Sequence, residues 1–182
     1  MSKVSTETAP KGLKILIMGL DNSGKTSIIL SLTKNTNLLS YYSLKPTAGA
    51  QIMNIEEGNT KYNIWELGGQ EQYRKDYIKD MDRYFHEADR FIYVIDIQDN
   101  SRFDGALDYL KTIIQSIPKN LNLADFSIFL HKYDPNLELQ SSFSKTVAAN
   151  LIAQIKKIVP AKLNFKLYKT SIYTVFKKDL LS

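Results

Sequence analysis

The segment that most constrains this chain is Gly19-Leu20-Asp21-Asn22-Ser23-Gly24-Lys25-Thr26. A glycine, four residues, a second glycine, then lysine and serine or threonine is the pattern of a loop that wraps a phosphate. Its glycines let successive backbone N–H groups curl round the anion, and the helix start behind it adds positive partial charge. Such a loop needs a strand before it and a helix after it, and both are present. Leu13 to Met18 is an apolar run of strand length ending at Gly19, and Lys25 to Lys34 carries Ile28, Ile29 and Leu32 on one helical side. In that setting Lys25 neutralises β and γ oxygens and the Thr26 hydroxyl ligates Mg²⁺. Gly19, Asp21, Asn22, Ser23, Gly24, Lys25, Thr26 and Ser27 are the expected contacts of a nucleoside triphosphate.

The remaining chain alternates strands and helices. Asn35 to Thr47 reads as a polar loop containing Pro46, and Gln51 to Glu56 with Lys61 to Trp65 reads as a hairpin turning at Glu57-Gly58-Asn59. Glu71 to Phe85 is expected as one polar helix with Tyr73, Tyr77, Met81 and Tyr84 on a single side. Apolar strands follow at Arg90 to Ile97, Phe126 to Leu130 and Phe165 to Tyr168. Helices fall at Arg102 to Ile117, stopped by Pro118, at the run marked by Phe143, Val147, Leu151, Ile155 and Ile158, and at Tyr173 to Leu181. Near-continuous apolar strands suit a sheet covered on both faces, and right-handed crossovers make most of its strands parallel. The expected fold is α/β: six strands, mostly parallel with one antiparallel, and five helices on both faces. A flexible polar arm over 1–12 precedes one domain over 13–182.

Composition closes off several chemistries. With 43% hydrophobic and 24% charged residues in 182, the chain fits one globular domain, and with no cysteine it can hold no disulfide, thiolate metal site, cysteine nucleophile, S-acyl or prenyl group. No run approaches the roughly 18 apolar residues of a membrane span, so a cytoplasmic protein is the expectation. The net charge of +5 is regional: from His131 onward nine lysines face three acids, a balance of +6. These lysines lack interleaved exposed aromatics and read as a solvated face, not a nucleic-acid surface. They would give weak, salt-sensitive peripheral attraction to a membrane.

Ligands of such sheets lie beyond the carboxyl ends of the strands, and the other informative motifs fall there. Asp134, in His131-Lys132-Tyr133-Asp134, can accept from both N1–H and the 2-amino group of guanine, a donor pair that adenine lacks. Lys132 can lay its stem on the base, and Ser171 and Ile172 can offer backbone N–H groups to O6. In Trp65-Glu66-Leu67-Gly68-Gly69-Gln70, Glu66 can hold a magnesium-bound water, the Gly69 N–H can meet a γ oxygen, and Gln70 can orient the attacking water. Thr47, after Pro46, supplies a hydroxyl to the same Mg²⁺.

Together these motifs resemble the small Ras-like GTPases over nearly the whole chain. Gly19-Leu20-Asp21, Pro46-Thr47-Ala48-Gly49 and Trp65 with Gly68-Gly69-Gln70 are most similar to the Arf branch. His131-Lys132-Tyr133-Asp134, Ile92-Tyr93-Val94-Ile95-Asp96 and Thr170-Ser171-Ile172-Tyr173 are more similar to the Rag branch, so the expectation is an intermediate. The resemblance implies a GTP/GDP switch with Mg²⁺ in which Gln70, Lys25 and Thr47 carry catalysis. It also implies a switch I around Thr47 and a switch II over Glu66 to about Met81, through which effector, exchange factor and activating protein would act.

This chain departs from the pattern in four places. Glu66 replaces aspartate, His131 replaces the commoner asparagine, Ser2 stands where myristoylation needs glycine, and the chain stops at Ser182 without a second domain. No stable membrane anchor and no Rag-type pairing are expected. Slow turnover is expected, because no arginine lies in the phosphate loop or beside Thr47. Two other readings stand beside the switch: a GTP-binding scaffold that barely hydrolyses, favoured by Glu66, and a phosphate-loop kinase or ATPase, opposed by Asp134.

Overall fold

The computed structural model describes residues 12–33, 37–118 and 125–173. Its elements are β1 (Leu13–Gly19), α1 (Lys25–Ser31), α2 (Leu38–Tyr42), β2 (Ala50–Glu57), β3 (Thr60–Leu67), α3 (Glu71–Lys79), α4 (Met81–Phe85), β4 (Arg90–Asp96), α5 (Phe103–Ser116), β5 (Asp125–His131), α6 (Lys145–Ile158) and β6 (Phe165–Lys169). The six strands form one sheet in the order β2-β3-β1-β4-β5-β6, and only β2 runs antiparallel. Every expected strand is present, each extended by a residue or so except at the end of β4, which stops at Asp96.

Alternation in the strands sorts the core into two layers. On β1, Leu16 and Met18 face one side and pack with Leu110, Ile113, Leu151 and Ile155, while Ile15 and Ile17 face the other with Ile29, Ile64 and Val94. Because both faces are covered, the strand reads as an unbroken apolar run. An aromatic row crosses the first face, Phe85 to Phe91 at 5.1 Å, Phe91 to Phe126 at 5.0 Å and Phe126 to Phe165 at 6.1 Å between ring centres. Edge and tilted pairs of this kind add about 0.5–1.5 kcal/mol each beyond area burial.

Helix boundaries differ from expectation in two ways. The long helix over Glu71 to Phe85 breaks at Asp80, whose φ of −114° and ψ of 29° end α3 and start α4. A fully apolar stripe would favour one straight helix. Here Tyr77 and Met81 are buried on either side of the break, and Phe85 packs edge-on to Phe91 of β4 at 5.1 Å. The polar loop also holds the five-residue α2, started by Asn37, whose side chain accepts from the Ser40 N–H at 3.1 Å. Six α-helices are thus present among the described residues, against five expected. Most of the helix expected at Tyr173 to Leu181, and the arm over 1–11, lie outside the described residues. No helix of the described residues is long and apolar enough to cross a membrane.

The connections place the site. From β1 the chain passes through α1 to β2 and β3 on one side, and later to β4, β5 and β6 on the other. A sheet whose connections diverge in this way opens a crevice at the carboxyl ends of the central strands. The carboxyl end of β1 is Gly19, the first residue of the phosphate motif.

Candidate functional site

Between β1 and α1 the chain reverses tightly, with Asn22 at φ 58° and Gly24 at φ 91°. Asp21, Asn22, Gly24, Lys25, Thr26 and Ser27 line a cleft of about 260 Å³, closed opposite by Pro46, Thr47, Glu66, Gly69 and Gln70. Lys25 is 4% exposed, and its Nζ donates to the carbonyls of Gly19 at 3.1 Å and Leu20 at 2.7 Å. Burial pulls its pKa down to about 8, against the attraction of Glu66 and Asp21. A buried ammonium held only by carbonyls is poorly compensated, and an anion in the cleft would restore the lost solvation. Ser23, also buried, has an Oγ with no hydrogen-bond partner among the described residues.

Three oxygens converge across the cleft. Thr26 Oγ1 donates to Glu66 Oε1 at 2.6 Å, Thr47 Oγ1 donates to the same oxygen at 3.1 Å, and the two hydroxyls lie 3.1 Å apart. The hairpin makes this meeting. Glu66 pairs with Gln51 in the β2–β3 register, and the Gly68 N–H donates to the Gly49 carbonyl at 3.0 Å, so Thr47 and Glu66 stand at the same open end. Two hydroxyls 3.1 Å apart match adjacent vertices of an octahedron with ligands at about 2.1 Å, whose edge is about 3.0 Å, and the donated protons leave their lone pairs free. Among the described residues no three His, Cys, Asp or Glu side chains cluster to hold a metal. A cation here has to draw its other ligands from phosphate and water, as Mg²⁺ commonly does.

Gln70 is the N-cap of α3 but makes no capping bond with its side chain, which lines the cleft beside Thr47. Gly69 is packed so tightly on the phosphate loop that a Cβ would collide with the backbone of Leu20 and Asp21. The loop and the start of α3 therefore touch directly.

At the other end, His131, the last residue of β5, is buried with Nδ1 2.9 Å from Thr170 Oγ1, and its ring lies against Gly24, where any Cβ would strike it. Burial first, and then the neighbouring Lys132, lower the His131 pKa, so the imidazole is neutral at physiological pH. It bridges the Thr170 segment to the turn before α1. Lys132, at φ 60°, donates from Nζ to the Asn22 carbonyl at 2.9 Å and pairs with Asp96 at 2.6 Å. Asp134 accepts from Ser171 Oγ through one oxygen and from Gln98 Nε2 at 2.8 Å through the other, and Ile172 follows, half-buried.

Gln98 and Arg102 have no counterpart in the sequence reading. Arg102 Nη1 donates to the Asp21 carbonyl at 2.9 Å and Nη2 to Asp21 Oδ1 at 2.5 Å, so an arginine does reach the phosphate loop, from a segment 81 residues away. Burial raises the Asp21 carboxyl pKa, but Arg102 outweighs it and the net direction is down. Both residues follow β4, and the strand-end rule applied to that strand would have pointed to them. The tyrosines of α3 and α4 mostly pack: Tyr77 is buried, edge-on to Tyr84 at 5.5 Å, and Tyr84 meets Trp65 at 6.4 Å. By contrast Leu39 and Tyr42 of α2 are 75% and 87% exposed.

The profile of the ADP-ribosylation factor family matches residues 1–175. ADP-ribosylation factor-like protein 2 of Dictyostelium discoideum is 36% identical over 124 residues, 68% of this chain and 62% of the relative. ADP-ribosylation factor F of the same organism is 31% identical over 124 residues, 68% of this chain and 61% of the relative. The match thus spans about three fifths of the length of these curated relatives. A solved structure of the Arl6 BBS3 small GTPase from Trypanosoma brucei with bound nucleotide analogue GppNp shares the fold, with a TM-score of 0.67 at 21% identity over 88% of this chain and 87% of that one. The family profile runs through the phosphate loop, the hairpin and the base-end strand whose side chains meet in this cleft, and the chain belongs to the ADP-ribosylation factor family.

Proposed function

We propose that this protein is a nucleotide-dependent switch that binds GTP and GDP with Mg²⁺ and hydrolyses GTP slowly. The observation that carries the reading is the meeting of the Thr26 and Thr47 hydroxyls on Glu66 opposite the buried Lys25 ammonium. Lys25 binds β and γ oxygens, Thr26 and Thr47 offer hydroxyls to the cation, and Glu66 fixes both hydroxyls by accepting their protons. Bound Mg²⁺ would supply charge neutralisation on the phosphate oxygens. Gln70, free of capping duty, orients the attacking water. Asp134 reads the guanine N1–H and 2-amino group while Lys132 and the backbone at Ser171 and Ile172 frame the base. Around this base end the Rag-like sequence features supply histidine where asparagine is commoner, and His131 keeps the bridge to Gly24.

Arg102 is occupied by Asp21, and an activating protein would supply the arginine that meets charge developing on the γ-phosphoryl group. Effector, exchange factor and activator would act through the Thr47 loop and α3, and the protein would work in the cytoplasm. The domain would span 13–182. A second reading, a GTP-binding scaffold with little turnover, draws on the direct Glu66 contacts, which hold both hydroxyls without an intervening water.

The test is binding and single-turnover hydrolysis. GTP and GDP should bind in Mg²⁺ far more tightly than ATP, and EDTA should release them. Hydrolysis should run at about 10⁻⁴ per second, the scale on which Ras hydrolyses GTP without its activating protein. Gln70→Leu should slow it without loss of GTP affinity. Equal displacement of labelled GDP by ATP would refute the reading, and absent turnover with intact Mg²⁺-dependent binding would favour the scaffold.

A further inference from the structure

We infer that Gln98 is a positioning residue for base recognition: its side-chain amide fixes the carboxylate of Asp134 and thereby sets the preference for a base carrying two adjacent donors. The inference rests on the proposed reading of Asp134 and deepens it.

Gln98 lies just past β4, and its place is determined by the backbone. The Ile97 N–H donates to the His131 carbonyl at 3.0 Å, continuing the β4–β5 ladder, and the Gln98 N–H donates to Asp96 Oδ1 at 2.9 Å. From this anchor the amide spans to the next loop. Nε2 donates to the Lys132 carbonyl at 2.7 Å and to Asp134 Oδ2 at 2.8 Å. An amide nitrogen carries two protons, and both are used.

Each contact solves a local problem. Lys132 has φ 60°, a conformation that side-chain-bearing residues seldom adopt, and the bond to its carbonyl holds the peptide there. The other oxygen of Asp96 meets Lys132 Nζ at 2.6 Å, so Asp96 and Gln98 grip both ends of that residue. Asp134, two residues on, would turn about its side-chain bonds if only Ser171 held it. With Ser171 on Oδ1 and Gln98 on Oδ2 the plane of the carboxylate is fixed. A carboxylate offers about four acceptor sites, so each oxygen keeps one for the base.

Two donors on a base need both oxygens in register at once, while a single donor can follow a carboxylate that turns. Losing Gln98 should therefore penalise guanine, with N1–H and the 2-amino group, more than hypoxanthine, which has N1–H alone. A role confined to folding would weaken both alike.

The experiment measures dissociation constants of the full chain for GDP, IDP and ADP in Mg²⁺, with thermal melting as a control. The variants are Gln98→Met, which keeps length and loses the donors, and Gln98→Asn, which keeps the amide but is one methylene short. Both are expected to raise the constant for GDP about tenfold, the size of one hydrogen bond to a charged group at a partly solvated site, and that for IDP by less than about threefold. Equal losses for GDP and IDP, or no loss for either, would overturn the inference. If one variant melts too low to assay, the other decides. If wild type fails to prefer GDP over ADP, the reading of Asp134 itself fails, and that result is independent of the variants.

Discussion

Lys25 should make nucleotide binding depend on pH in a way that can be worked from its burial. In the free protein desolvation lowers its pKa from 10.5 to about 8, a difference equivalent to about 3 kcal/mol of lost charge stabilisation. Phosphate oxygens replace the missing solvation, so the ammonium in the complex stays charged across the accessible range. The free protein at pH 7 holds the proton about nine times in ten, and at pH 9 about one time in ten. Binding must then take up about 0.1 proton at pH 7 and about 0.9 at pH 9, and affinity should fall about tenfold between them. Calorimetric titration with GDP in buffers of different ionisation enthalpy reads the uptake directly. Lys25→Arg supplies the control, since a guanidinium stays charged throughout. Ionisation of guanine itself is common to both proteins and cancels. Stability of the nucleotide-free fold should run the other way. Between about pH 8 and 10.5 the unfolded chain binds the proton more tightly than the folded one, so stability rises with pH over that window. If wild type and Lys25→Arg lose affinity in parallel from pH 7 to 9, with equal proton uptake, the buried-ammonium argument is wrong.

Three further outcomes are expected. Arg102→Met removes two donors from Asp21 at a site about one third exposed, and release of fluorescent GDP should quicken about fivefold, consistent with about 1 kcal/mol; an unchanged rate would show that the loop holds its shape unaided. Gly69→Ala forces a methyl into the backbone of Leu20 and Asp21, and either the loop or the start of α3 must move. Overpacking of about 1–3 kcal/mol should lower the melting temperature by several degrees and weaken GTP-analogue binding together, and no change in either would count against it. Leu110→Ala empties a fully buried position between α5 and the sheet and should cost about 2–5 kcal/mol in chemical denaturation, leaving nucleotide selectivity intact.

The sheet was legible because its signal is local. Arg90 to Ile97 is apolar nearly throughout, and a run of that length between polar segments admits few readings. Gly24-Lys25-Thr26 was legible for the same reason: the chemistry and its flanks sit within a dozen residues. What stayed hidden depends on contacts that no window contains. Arg102 looks like any basic residue opening a helix until β4 brings it beside Asp21. Gln98 is an exposed amide whose meaning comes from the Lys132 carbonyl across the sheet end. The break at Asp80 was invisible to periodicity, since Tyr77 and Met81 keep helical spacing through it. Asn37 carried a cap signal in plain view, yet polar Asn35 to Thr47 read as loop because a single short turn buries no apolar side chain.

The order of strands has a consequence during synthesis. Lys25 emerges from the ribosome about 150 residues before Ser171, and at about 5–20 residues per second that interval is on the order of 7–30 s. His131, which walls the back of the loop at Gly24, arrives in between, and β4 must be laid down before β5 can carry that ring into place. On the proposed reading, the residues of the phosphate grip would precede those of the base reader for most of synthesis, and the choice among bases would be the last property of the site to be completed.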